Sequence, residues 1–293
     1  MDIDPLVTTA WLEDHLDDPD LRVVDIRGSV STRAEAPGVE VATYRGAPEE
    51  YRAGHIPGAV FVDWTSDIVD PNDPVPAQVA GPERFARLMG ELGIGDATRV
   101  VAVDGMGGQF ATRLWWALKY YGHDNVGVLD GGYHRWVEEE RSVFVEASAP
   151  PHASFTPRIR PDLRATAAQV LERLGDPTFD LVDARDLGQY TAAKRRGPRG
   201  GHIPGAIHLP RELFFAEAGG FLPIEELRTS LAERGIIPER PVVAYCNGGV
   251  AATVVLFNLA RLGHEGLTNY DGSWNEWGPR LDLPIEPEAP KGP

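Results

Sequence analysis

Short apolar runs recur along this chain, each closed by a polar or glycine-rich turn. The runs within 21–27, 99–103, 126–129, 180–185 and 241–245 hold at least three apolar residues apiece, most of them β-branched or small. That length and composition predict strands buried on both faces of a parallel sheet. Between them the apolar spacing changes to the helical period, predicting helices over 82–92, 110–121 and 250–262, with Gly93, Gly122 and Gly263 just past their ends. Residues 28–53 show neither period and read as a polar, irregular excursion.

The order of these elements occurs twice. Asp180-Leu181-Val182-Asp183-Ala184-Arg185 matches the strand at 21–27, and Gly201-His202-Ile203-Pro204-Gly205-Ala206-Ile207 repeats Gly54 to Val60. Val242–Cys246 matches Val100–Asp104, Gly263-His264 matches Gly122-His123, and Asp271–Trp277 matches Asp130–Trp136. A repeat this long is a duplicated domain, and strands alternating with helices make each copy an α/β domain with a mainly parallel sheet. The expected division is an N-terminal domain over 1–142, a proline-bearing linker over 143–165 and a C-terminal domain over 166–293.

Composition narrows the partners. With 28 Lys+Arg against 44 Asp+Glu, the formal net charge is −16. That argues against nucleic acid or an anionic membrane as partner, and means that any site for an anion must be a local basic patch. No run approaches the roughly 18 apolar residues of a membrane span, and the acidic start has no signal-peptide core, so a cytoplasmic protein is expected.

The only cysteine is Cys246. It excludes an internal disulfide and a cysteine-rich metal site, and no Cys/His cluster has ligand spacing, so no metal or cofactor is expected. Cys246 ends a strand, Asn247-Gly248-Gly249 tolerates tight backbone, and a helix follows through Val250, Ala251 and Ala252. Loop amides and the positive end of that helix would favour negative charge on the sulfur and hold an anion beside it. The first copy has Asp104 at this position, so one copy is expected to do chemistry and the other to be silent.

Acyl transfer by a thiol needs a paired histidine, but His202 and His264 have counterparts, His55 and His123, in the half without cysteine, which argues for folding roles. Phosphate-ester chemistry would use an arginine five residues beyond the nucleophile's loop start, and Ala252 occupies that place. Sulfur transfer asks less: a thiolate takes a sulfur atom, becomes a persulfide held by loop amides, and passes it on. Such donors are anionic. Arg185, at the end of a parallel strand, is the expected donor-binding residue, and the basic run holding Lys194, Arg195, Arg196 and Arg199 is the second candidate.

These residues resemble the two-domain sulfurtransferases of the rhodanese family, which use thiosulfate or 3-mercaptopyruvate. The resemblance rests on the doubled Gly-His-Ile-Pro-Gly-Ala, on Leu181–Arg185, on Cys246–Ala252, on Tyr270–Trp277, and on Arg113-Leu114-Trp115-Trp116 in the first half. It implies two tandem rhodanese-like domains, a persulfide on Cys246, a cradle formed by 247–252, and Arg185 on the donor. The acceptor would be a thiol, cyanide or a thioredoxin-like protein. Members that use thiosulfate often carry basic residues directly after the cysteine. The neutral Asn247-Gly248-Gly249 leans toward the mercaptopyruvate users, yet lacks their serine and threonine hydroxyls. That lack motivates an alternative: a persulfide carrier or regulatory sulfur-binding module with little turnover.

Overall fold

A computed structural model describes residues 3–286 except 218 and 238. The first half contains β1 (Leu6–Val7), β2 (Leu21–Asp25), β3 (Gly28–Ala36), β4 (Val39–Gly46), β5 (Val60–Phe61), β6 (Arg99–Val103) and β7 (Val126–Leu129). The second contains β8 (Arg164–Ala165), β9 (Asp180–Asp183), β10 (Ile207–His208), β11 (Val242–Tyr245) and β12 (Leu267–Tyr270). Two five-stranded sheets result, β1-β7-β6-β2-β5 and β10-β9-β11-β12-β8, and every pair in them is parallel. Read from the other edge, the second order reproduces the first, so the repeat in sequence is a repeat in topology. The central strands β6 and β11 are apolar because both faces are covered by helices, which leaves no solvent face to alternate with.

Two expectations change. Residues 28–46 are not irregular: β3 and β4 pair antiparallel from Gly28↔Gly46 to Ala36↔Val39, turning at Pro37-Gly38. Neither face of this ribbon is fully buried, so its side chains carry no period-two hydrophobic signal. Its tip instead bonds to the other domain, with the Glu40 amide donating to Arg195 O (2.9 Å) and the Arg195 amide to Gly38 O (2.9 Å). Second, Arg164 and Ala165, read as linker, form the edge strand β8 beside β12.

The helices Gln109–Tyr120 and Ala252–Arg261, which follow β6 and β11, pack against each other across the domain boundary. The Thr112 and Thr253 hydroxyls meet at 2.9 Å, and Trp115 stands edge-on to Phe257 with ring centroids 5.2 Å apart. Buried side chains of both halves belong to one apolar cluster, so the boundary is built like a core rather than a wet, sliding contact. Among the described residues no helix is long and apolar enough to cross a membrane.

Candidate active site

Cys246 follows the last residue of β11 and is 4% exposed, at the floor of a cavity of about 380 Å³ between the two halves. The chain cannot continue straight into a helix. Gly249 turns at φ +70°, and a Cβ there would meet Asp271 O and Oδ1 at 2.8 Å, so only glycine fits. The helix therefore begins at Ala252 rather than Val250. The Ser273 hydroxyl accepts the amides of Cys246 and Gly249, each at 3.0 Å, and donates to Tyr270 O at 2.8 Å. The Cys246 carbonyl accepts the Trp274 amide at 3.0 Å. Among the described residues, no protein group accepts from the amides of Asn247, Gly248, Val250, Ala251 or Ala252. A loop that leaves its amides unpaired beside a buried sulfur is arranged for an anion.

The first domain supplies the comparison. At the end of β6, the Asp104 carboxylate is 2% exposed and accepts four loop amides: Met106 (2.9 Å) and Gly108 (2.8 Å) on Oδ1, Phe110 (2.7 Å) and Ala111 (2.9 Å) on Oδ2. The corresponding turn thus closes on a carboxylate in one copy and leaves amides unpaired next to a cysteine in the other.

Ten residues of the first domain wall the cavity, among them Val30, Thr32 and Tyr44 from the ribbon, then Trp64, Met106 and Gln109. The residues expected around the sulfur divide as follows. Cys246, Asn247, Gly248, Val250 and Ala251 border the cavity, while Gly249 and Ala252 stand behind it as turn and helix start. Arg185 also borders the cavity, but it is 4% exposed and its Nε and Nη2 are committed. Its Nε lies 2.9 and 3.1 Å from the Asp183 carboxylate oxygens, and Nη2 donates to Gly201 O at 2.7 Å. Burial alone would push its pKa down; the Asp183 carboxylate outweighs this and holds the group charged. Arg27 makes the same contacts in the first domain, with Asp25 and with Gly54 O at 2.6 Å. Arg185 is thus one of two equivalent strand-end braces.

The basic run separates into three roles. Arg196 borders the cavity, and its buried Nε has no hydrogen-bond partner; Glu40 Oε2 is 3.9 Å away. Arg195 is directed elsewhere: its Nη1 donates to Gly197 O (3.2 Å) and Pro198 O (3.0 Å), and it does not border the cavity. Arg199 is likewise absent from the wall, because its guanidinium fills a ring of carbonyls, Gly278 O at 2.7 Å, Leu283 O at 3.0 Å and Trp277 O at 3.1 Å. Lys194 pairs with Glu40 Oε1 at 3.0 Å. His202 gives its Nδ1–H to Tyr190 O at 2.9 Å, as His55 does to Tyr51 O at 2.8 Å, and neither borders the cavity.

Sequence reasoning missed Arg211, Gln189 and Ser273. Arg211 reaches the cavity after β10, bonded to Gln109 of the other domain and to Glu212 Oε1 at 3.0 Å. Gln189 lines the wall with its Oε1 buried and unpartnered. Ser273 had a visible signal: it replaces Gly132 of the first copy and keeps that glycine's left-handed backbone, φ +50° against +58°.

The doubled parallel sheets, with a cysteine turn in one copy and an aspartate turn in the other, define a tandem α/β protein with its single cysteine at a cavity between the copies. The rhodanese-like domain model matches residues 8–139 and 166–279, and the chain belongs to the rhodanese family. It is 35% identical to the 3-mercaptopyruvate sulfurtransferase of Escherichia coli strain K12 over 284 residues, 96% of this chain and 97% of that one. It is 34% identical to thiosulfate/3-mercaptopyruvate sulfurtransferase 1, mitochondrial, of Arabidopsis thaliana, covering 97% of this chain and 78% of that protein. The crystal structure of SseA from Escherichia coli, a 3-mercaptopyruvate sulfotransferase, superposes with a TM-score of 0.80 at 32% identity, over 93% of this chain and 99% of that one.

Replacing Asp104 with Ala removes the acceptor of four amides and is expected to cost about 3–5 kcal/mol of stability. The check is urea unfolding, with sulfur transfer by the folded fraction held within about twofold. An unchanged midpoint would show that the first turn does not depend on a bound negative charge.

Proposed function

We propose that Cys246 carries sulfur as a persulfide, taken from a small anionic donor of the 3-mercaptopyruvate kind and passed to a thiophilic acceptor. The chain is an enzyme of the sulfurtransferase class, like its relatives. The observation that carries the persulfide reading is the set of unpaired amides in the loop after Cys246, set beside the corresponding turn that binds the Asp104 carboxylate. In the first half-reaction the Cys246 thiolate attacks the donor sulfur. The donor's carbon–sulfur bond breaks, its electron pair leaves with the pyruvate enolate, and solvent protonates that carbon. In the second, the acceptor attacks the outer persulfide sulfur and the Cys246 thiolate returns; cyanide becomes thiocyanate, and a thiol becomes a persulfide. The loop amides stabilise the charged sulfur in both steps and no general base is needed.

The distribution of charge supports the donor class. Thiosulfate bears its charge on the group bonded directly to the transferable sulfur, so cations on the cysteine loop would suit it. This loop carries none, and the guanidiniums of Arg196 and Arg211 stand on other elements of the cavity wall. A carboxylate separated from the sulfur by two carbons fits that separation better. We assign the donor's anionic end to Arg196, with its unpartnered Nε, and to Arg211; Arg185 braces the wall. Asp186 and Glu212 also face the cavity, but Asp186 caps the short Leu187–Tyr190 helix and Glu212 pairs with Arg211, so their charges are partly spent. A lone thiol that must be free at every turnover suits a reducing, cytoplasmic setting.

The test is steady-state transfer to cyanide from 3-mercaptopyruvate and from thiosulfate, with intact-mass measurement of the enzyme after donor alone. We expect one added sulfur, a kcat/KM at least about tenfold higher for 3-mercaptopyruvate, and loss of both signals in Cys246→Ser. Added sulfur without turnover would favour a carrier; preference for thiosulfate would overturn the donor assignment. Arg196→Ala should raise the donor KM about tenfold or more, whereas Arg199→Ala should leave KM unchanged and lower thermal stability. Equal KM changes in the two variants would remove Arg196 from the donor site.

A further inference from the structure

The silent domain reaches into the cysteine loop through one buried side chain. Arg113, on the Gln109–Tyr120 helix, is 1% exposed and stacks at 4.5 Å over Trp116. It bonds no carboxylate of its own domain. Nη1 donates to Asp271 Oδ1 at 2.6 Å and to Gly249 O at 3.2 Å, while Nη2 donates to Ala77 O at 2.8 Å. Asp271 is fully buried. Its Oδ2 accepts the Val79 amide at 3.0 Å and faces Arg164 Nε at 3.2 Å, and its backbone carbonyl accepts Gln78 Nε2 at 3.0 Å.

The device is one-sided. Aligning Gly108 with Gly249 and Gly122 with Gly263 puts Val254 opposite Arg113, so the catalytic domain returns no such arm. A buried ion pair is a poor source of stability, since an apolar pair of the same volume often does as well. What this pair touches is more telling. The Gly249 carbonyl and the Val250 amide share one planar peptide and point in opposite directions. Fixing Gly249 O from behind, with Arg113 Nη1 and with Asn269 Nδ2 at 3.0 Å, therefore also fixes the direction of the unpaired Val250 N–H, opposite to these two donors.

We propose that Arg113, with Asp271, is a positioning residue for sulfur transfer: supplied by the N-terminal domain, it sets the Gly249–Val250 peptide so that the loop amides converge on the Cys246 persulfide. The inference rests on the reading of 247–252 as a persulfide cradle and adds what aims it.

The test compares Arg113→Lys, Arg113→Met and Asp271→Asn with Phe85→Leu, a core change on the Pro82–Glu91 helix of the same domain, all assayed with 3-mercaptopyruvate and cyanide at temperatures where each is folded. Arg113→Met should lower kcat about tenfold or more with donor KM within about threefold, because Arg196 and Arg211 still hold the donor. Arg113→Lys should recover part of the loss, and Phe85→Leu should keep wild-type kcat despite a lowered Tm. Wild-type kcat in folded Arg113→Met, or a parallel fall of kcat and Tm through all four variants, would overturn the proposal. If Arg113→Met does not fold, Arg113→Lys and Asp271→Asn decide by the same split. If the wild type transfers sulfur from no donor, the cradle reading fails on its own; faster deuterium exchange confined to 247–252 in Arg113→Lys would still report the positioning, and unchanged exchange there would overturn it.

Discussion

A negative charge taken out of water must be met by fixed donors or it will not form, and the rest of this molecule is arranged around that requirement. At Cys246 the donors we assign are backbone amides, which carry no counter-charge and need no proton bookkeeping. They can be spared only because other groups satisfy the remainder of the turn. The Ser273 hydroxyl takes the Cys246 and Gly249 amides, and Arg113 with Asn269 takes the Gly249 carbonyl. The left-handed backbone at Gly249 and Ser273 is the conformational cost of folding two strand ends so closely together.

Duplication explains why a glycine-rich turn ends the central strand of both halves. The first turn holds its own carboxylate and is thereby closed to any exchangeable anion. That domain also gives the other its cavity wall, its ribbon and its Arg113 arm. The core-like contact between the two domain helices keeps these contributions in register, so the crevice is a fixed site rather than a hinge.

Much of this was legible from residues alone. The apolar strands, the repeat and the exchange of Asp104 for Cys246 located the turn that borders the cavity, because buried parallel strands and glycine turns leave local patterns. The ribbon at 28–46 was not legible, since its stability comes from cross-strand bonding and from contact with Arg195 rather than from a buried face. Arg185, expected on the donor, borders the cavity but also has a scaffold partner that the sequence did contain: Asp25-Ile26-Arg27 repeats Asp183-Ala184-Arg185. The choice among Arg195, Arg196 and Arg199 depends on the path of a loop around Gly197 and Pro198, which no local pattern specifies. Arg211 and Gln189 enter through tertiary placement alone.

The central claim is that unpaired loop amides bind the charged sulfur, and amide NMR tests it most directly. Chemical shifts of the free enzyme would be compared with those of the enzyme loaded with one sulfur from 3-mercaptopyruvate in the absence of acceptor. The account predicts downfield proton shifts for Val250, Ala251 and Ala252, with the amides of Met106, Gly108, Phe110 and Ala111 unmoved because Asp104 already holds them. Loading that leaves the 247–252 amides unshifted would contradict it.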